Sequence, residues 1–168
     1  MISLKKRNLD NRGFTIVELL IVIVVIGILA LLVITTYSGI QAKARNSKRQ
    51  TDIQSLQTQL EAFFSENGYY PSLGDMNSPT WRAANMKSLD QNALVDPSSN
   101  CDPSKTTANC LASSPSAKVY SYQVGNGQGD GVGASCEDSD TTCAKYTLTA
   151  KYDGTVNGQT TYVKEALD

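Results

Sequence analysis

No histidine occurs anywhere in the 168 residues. The commonest acid–base catalyst and metal ligand is therefore missing, which weighs against an enzyme. No Ser/His/Asp or Cys/His constellation exists, and no carboxylate pair has a discriminating spacing, so no active site is read. No Cys-x-x-Cys is present, and a four-cysteine zinc site would need unusual spacing. No proline precedes Pro71, so nothing covalent forbids one helix from Phe14 to about Glu66. An excess of positive charge is absent too. The net charge is −1, and without residues 1–13 eleven bases would face fifteen acids. That balance is not the footprint of a protein that holds nucleic acid by its overall field. No internal repeat is visible.

What the chain does have is a long apolar run. Between Phe14 and Ile34 the only clearly polar residues are Thr15 and Glu18. The run matches the ~20 residues that cross a bilayer as a helix. It exceeds the roughly 7–15 apolar residues of a cleaved signal peptide, and no Ala-x-Ala site follows. Lys5, Lys6, Arg7 and Arg12 precede it. The expectation is a single-pass anchor with its N-terminus cytoplasmic and the remainder outside. Charge counting alone does not set this orientation, because Lys43, Arg45, Lys48 and Arg49 follow closely. Glu18 breaks the apolar pattern, at a penalty of roughly 2.5–3.5 kcal/mol in a bilayer centre. Such an acid wants a positive partner. A cut before Phe14 would create one, an α-amine with a pKa of about 8 placed four residues from Glu18.

The stretch Arg12-Gly13-Phe14-Thr15-Ile16-Val17-Glu18-Leu19-Leu20-Ile21-Val22 resembles the cleavage and methylation motif of type IV prepilins and of the pseudopilins of type II secretion. The likeness covers about the first forty residues. It implies that a prepilin peptidase cuts between Gly13 and Phe14 and N-methylates Phe14. It also implies that Glu18 serves assembly, pairing with a terminal amine to set register between bundled helices, as a polar residue does in a coiled-coil core. The partners implied are the peptidase, other pilin subunits, the assembly machinery and the cytoplasmic membrane. The product would be an extracellular type IV pilus-like filament serving adhesion, motility or DNA uptake, so that DNA or surfaces become partners through the filament. A type II secretion pseudopilin is the alternative within the class. An anchored extracellular binding module that never polymerises is the rival outside it. Where the family often has a proline partway along the membrane helix, this chain has Thr35, Thr36 and Gly39.

The organisation read from the chain is a basic leader (1–13), a membrane and filament-core helix (14–38), an amphipathic stalk helix (39–67) and a loop-rich head (68–168). Ile53, Leu56, Leu60 and Phe63 recur at three- and four-residue steps, an apolar stripe suited to packing on a sheet. Asn67-Gly68 reads as a left-handed helix stop. A short helix capped by Ser78 is expected from Pro79 to Leu89, with Trp81 as a packing residue. Strands are expected at 119–124, 146–152 and 160–164, with a turn at Asp153-Gly154. The fold class is α+β, a long helix on a small antiparallel sheet, as the resemblance also implies.

Cys101, Cys110, Cys136 and Cys143 read as two disulfides formed in an oxidising compartment. Of three connectivities, Cys101–Cys110 with Cys136–Cys143 closes the shortest loops, though sequence alone leaves the pairing open. The Gly-rich segment 125–131 lacks the Gly-Lys-Ser/Thr ending of a phosphate loop. Asn126, Gln128, Asp130, Gly131 and Glu137 fall on EF-hand spacing, with acids only at the fifth and twelfth positions, and Asp138 and Asp140 stand nearby. Asn126, Asp130 and Glu137 are thus candidate calcium ligands, set against the plainer reading of an exposed acidic hairpin. No other cofactor is read. The cluster Lys43, Arg45, Lys48 and Arg49 is expected to be a solvated stripe near lipid headgroups. Pairing between subunits with Asp52 or Glu61, or contact with DNA, are its other readings.

Overall fold

The computed structural model describes residues 14–106, 109–128, 131–138 and 140–167. Helix α1 (Ile16–Asn67) is followed by two short helices, α2 (Leu73–Asn77) and α3 (Pro79–Asn85), and a 3₁₀ turn (Gln91–Leu94). Strands β1 (Leu111–Ala112), β2 (Tyr120–Gly125), β3 (Lys145–Val156) and β4 (Gln159–Glu165) form one sheet in that order. The chain divides into two compact units, one ending at Ile40 and one starting at Gln41.

In the second unit the stripe behaves as its spacing predicts. Ile53, Leu56 and Leu60 are fully buried and Phe63 nearly so, in one core with Tyr120, Tyr122, Tyr146 and Leu148. Each such side chain contributes roughly 1.5–3 kcal/mol by leaving water. Trp81 is half-buried beside Phe63, with ring centroids 5.4 Å apart, as a packing residue should be. The core is rich in tyrosine, whose hydroxyls need partners once buried. Polar residues of α1 supply many of them. Tyr120 donates to Asp52 (2.8 Å), Tyr146 to Glu61 (2.6 Å) and Tyr70 to Glu61 (2.9 Å). Gln50 donates to Tyr152 and Gln54 to Tyr162. The helix is therefore fixed on the sheet by a hydrophobic stripe flanked by hydrogen bonds.

Helix α1 ends at Asn67, where Gly68 takes φ 79° and its N–H donates to the Phe64 carbonyl. That left-handed turn favours glycine. Ser72 and Asp75 form a reciprocal cap on α2, and Ser78 caps α3. Arg82, buried on α3, donates to the Met76 carbonyl at the end of α2 and to that of Pro103.

The structure departs from expectation in three places. The sheet is mixed, because β1 runs parallel to β2. β1 has two residues, too few for an alternating pattern, and is held by the Asn77 side chain, which both donates to and accepts from Leu111. Helix α3 stops at Asn85, short of Leu89, and a turn from Met86 carries Leu89 into the core. The β3–β4 turn is not at Asp153-Gly154, which lies instead in a register shift within β3. Asn157 and Gly158, at φ 52° and 80°, make the turn. This is the two-residue hairpin whose right-handed twist suits its strands, and Asn-Gly is its commonest sequence.

Candidate functional site

The first unit is best read from its first turn. Phe14 and Thr15 precede the helix, and Phe14 is 90% exposed. Gly13 and the rest of the leader lie outside the described residues. Thr15 occupies the cap position and Glu18 the third helical one. The Glu18 carboxylate accepts from the Thr15 backbone N–H (2.8 Å) and from its hydroxyl (2.7 Å), and the Thr15 Oγ1 accepts from the Glu18 N–H (3.2 Å). This is a reciprocal capping box. It holds the carboxylate against the positive end of the helix, which lowers the penalty of its charge in an apolar run. Thr15 was not singled out by the sequence reading, although Thr-x-x-Glu ahead of an apolar stretch is a legible cap signal.

From Ile16 to Ile40 every large apolar side chain is exposed, from 48% at Val25 to 85% at Ile16. The helix is long and apolar enough to cross a membrane. It continues unbroken through residues 35–39, where the Thr36 hydroxyl donates to the Leu32 carbonyl (2.9 Å). Removing this surface from water, at roughly 1.5–3 kcal/mol per large side chain, is worth on the order of tens of kcal/mol. The chemistry on offer is cohesion, with one carboxylate at one end.

The other candidate residues lie in the second unit. Cys101 is bonded to Cys110 and Cys136 to Cys143. Asn126 turns its Oδ1 onto the N–H groups of Gln128 (3.1 Å) and Ala134 (3.2 Å), so it organises its own loop. Asp130 lies outside the described residues. Glu137 is exposed. Asp138 accepts from the Ser72 hydroxyl (2.7 Å), docking its loop onto α2. Among the described residues the single cluster of three acid or sulfur ligands is Cys136, Asp140 and Cys143, and its sulfurs are bonded to each other.

The basic cluster is only partly the solvated stripe expected of it: Lys43 and Lys48 are exposed, but Arg45 is half-buried and Arg49 is not in solvent at all. Arg49 is fully buried and binds Asp96 through Nε (2.7 Å) and Nη2 (3.1 Å), with Asn46, Ser98 and Asp153 completing its shell. Burial disfavours its charge, but Asp96 and Asp153 more than offset this and hold its pKa above the ordinary value. Arg45 pairs with Asp153, and Lys48 with Asp52 (2.8 Å) one turn on. Burial pushes the Asp153 carboxyl up, yet Arg45 and Arg49 win and keep it below the usual range. Asp52 and Glu61, read as acids for a neighbouring subunit, are used within the chain. The partners Asp96 and Asp153 lie too far along the chain for local spacing to show them.

Comparison with known proteins bears on the N-terminal segment. Residues 8–34 match the family model described as the prokaryotic N-terminal methylation motif. The chain is similar to the type IV major pilin protein PilA of Myxococcus xanthus, 43% identical over 63 residues, 38% of this chain and 29% of that protein. It is similar to the type II secretion system core protein G of Pectobacterium carotovorum, 43% identical over 62 residues, 37% and 40% of the two chains. The core protein G of Escherichia coli is 41% identical over 62 residues, 37% and 43% of the two. The chain thus spans less than half the length of these relatives. No solved structure gives a significant match. The resemblance read from Arg12 to Val22 holds: the N-terminal segment is of the kind shared by type IV pilins and secretion pseudopilins.

Proposed function

We propose that this chain is a prepilin, cut between Gly13 and Phe14 by a prepilin peptidase, N-methylated on Phe14 and assembled into a type IV pilus-like filament. Residues 14 to about 50 build the filament core and the sheet domain faces outward. It has no catalytic role. Its partners are the peptidase, other subunits and the assembly machinery. It lies first in the cytoplasmic membrane and then in an extracellular filament that serves adhesion, motility or DNA uptake.

One observation carries this reading. An apolar helical stretch whose large side chains are all exposed opens on a non-helical Phe14-Thr15 pair with a single carboxylate, Glu18, held at its first turn. A non-helical Phe14 leading into the Thr15 cap suits a peptidase, which needs main chain that is not already in a helix. A new amine on Phe14 would lie one turn from Glu18, on its own chain or a neighbour's. A secretion pseudopilin is the second reading, favoured by relatives named as type II secretion system core protein G.

The test is the intact mass and N-terminal sequence of the protein from membranes with and without a prepilin peptidase. A peptidase-dependent start at Phe14 carrying one added methyl group is the expected result. An unprocessed chain in both, from a peptidase that cuts a known prepilin, would leave an anchored binding module.

A further inference from the structure

The chain contains three Asn-Gly pairs, at 67–68, 126–127 and 157–158, and the structure treats them differently. Asn67 donates its amide to the Phe63 carbonyl (2.9 Å), and the Gly68 N–H donates to Phe64 (2.7 Å). Asn126 accepts two backbone N–H groups on Oδ1, and the Gly127 N–H donates to Val132 (2.9 Å). In both pairs the side-chain amide and the following backbone N–H are tied. At the third pair neither is. Among the described residues, the Asn157 side chain and the Gly158 N–H make no hydrogen bond, and both residues are exposed at the tip of the β3–β4 hairpin.

That contrast bears on a known weakness of Asn-Gly. The glycine nitrogen, having lost its proton to base, can attack the asparagine side-chain carbonyl. A bond forms between the Gly158 nitrogen and the Asn157 Cγ, and ammonia leaves with the former amide nitrogen. Water then opens the resulting five-membered succinimide at either of its carbonyls. Opening at the side-chain carbonyl returns the main chain with aspartate. Opening at the main-chain carbonyl routes the chain through Cγ and gives isoaspartate. The attack needs a free N–H and an unheld amide, together with freedom for the turn to leave its left-handed geometry, and it is fastest where the attacking residue carries no side chain. A hairpin tip closed only by the Val156–Gln159 pair, with the Asn157 side chain and the Gly158 N–H unbonded, opens locally at low free energy.

We propose that Asn157 is a site of spontaneous covalent modification, converting to aspartate and isoaspartate while Asn67 and Asn126 persist. Either product adds a negative charge. Isoaspartate also adds a methylene to a two-residue loop whose length sets the register of β4 on β3. β4 carries Tyr162, which accepts from Gln54, and Glu165, whose carbonyl accepts from Gln57. The modification therefore loosens the edge strand from α1 as the protein ages.

The test is incubation of the full chain in detergent at mildly alkaline pH, followed by peptide mass mapping and by an isoaspartate-specific methylation assay. Conversion at Asn157 should run several-fold ahead of that at Asn67 and Asn126, with isoaspartate prominent. In the same chain unfolded in urea the three sites should convert at comparable rates. Asn157→Gln should abolish the leading signal, and Gly158→Ala should slow it. Equal rates at the three sites in the folded chain, or Asn157 as the slowest, would overturn the proposal.

Discussion

Helix α1 is one element with two opposite burial patterns. From Ile16 to Ile40 its large apolar side chains face outward, while from Gln41 to Asn67 it buries even an arginine. Composition alone does not explain this. Both stretches are regular helix, but the second has its partners in the same chain. Its stripe meets the sheet, and Asn46, Arg49, Asp52 and Glu61 meet Asp153, Asp96, Tyr120 and Tyr146. Among the described residues, the first stretch buries none of its large apolar side chains. A helix whose apolar surface is left uncovered on this scale marks a membrane or protein interaction surface. The lesson is that self-sufficiency changes partway along a single helix.

Substitutions in the two stretches should therefore differ sharply in effect. The largest effect is expected at Arg49. Arg49→Ala strands the buried Asp96 carboxylate and should destabilise the head by about 3–5 kcal/mol, read by chemical denaturation of the detergent-solubilised chain. An undiminished midpoint would show that the ion pair is not needed. Core truncation should come close behind. Leu60→Ala is expected to destabilise the head by roughly 2–5 kcal/mol, whereas Leu29→Ala in the exposed run should leave its unfolding unchanged. Equal effects from the two would erase the contrast.

The tyrosines give a pH signature. Burial raises the pKa of Tyr70, Tyr120, Tyr122 and Tyr146 above the ordinary 10, and the carboxylates of Glu61 and Asp52 raise it further for Tyr70, Tyr146 and Tyr120. The unfolded chain therefore loses these protons first. The contribution of these tyrosines is fully present below pH 10, and the head should lose about 1.4 kcal/mol per pH unit above it for each of them. Thermal melts of the head between pH 9 and 12 check this, and the exposed helix should show no such loss. The smallest effect is expected at Thr15. Thr15→Ala removes the reciprocal cap and should destabilise the first turn by about 1 kcal/mol, seen as faster amide exchange near Glu18, with Thr15→Ser retaining most of the protection.

Much of this was legible in the sequence, and the omissions have physical causes. The stripe at Ile53, Leu56, Leu60 and Phe63 and the alternation in β2 and β3 are local periodicities, so they read directly. The stop at Asn67-Gly68 depends on a single left-handed residue, and that reads too. The hairpin was misplaced because Asp153-Gly154 and Asn157-Gly158 are both turn dipeptides. Asn-Gly fits a two-residue hairpin best, while Asp153 is drawn into pairing with Arg45 and Arg49. The buried network around Arg49 was illegible because its acids lie about 50 and 100 residues away, where no spacing rule reaches. At the candidate site, Gly13, Phe14 and Glu18 carried the resemblance. The Thr15–Glu18 cap was written in the same motif but was read only for its charge.

The measurement that tests the account most directly is filament assembly by Glu18→Leu, compared with the unaltered chain in cells that have the peptidase and assembly machinery. The variant should insert in the membrane and be cut before Phe14, yet fail to appear in sheared filament fractions, because the helix loses the acid proposed to set its register. Glu18→Leu assembling as well as the unaltered chain, or an unaltered chain that is processed but never polymerises, would contradict the account.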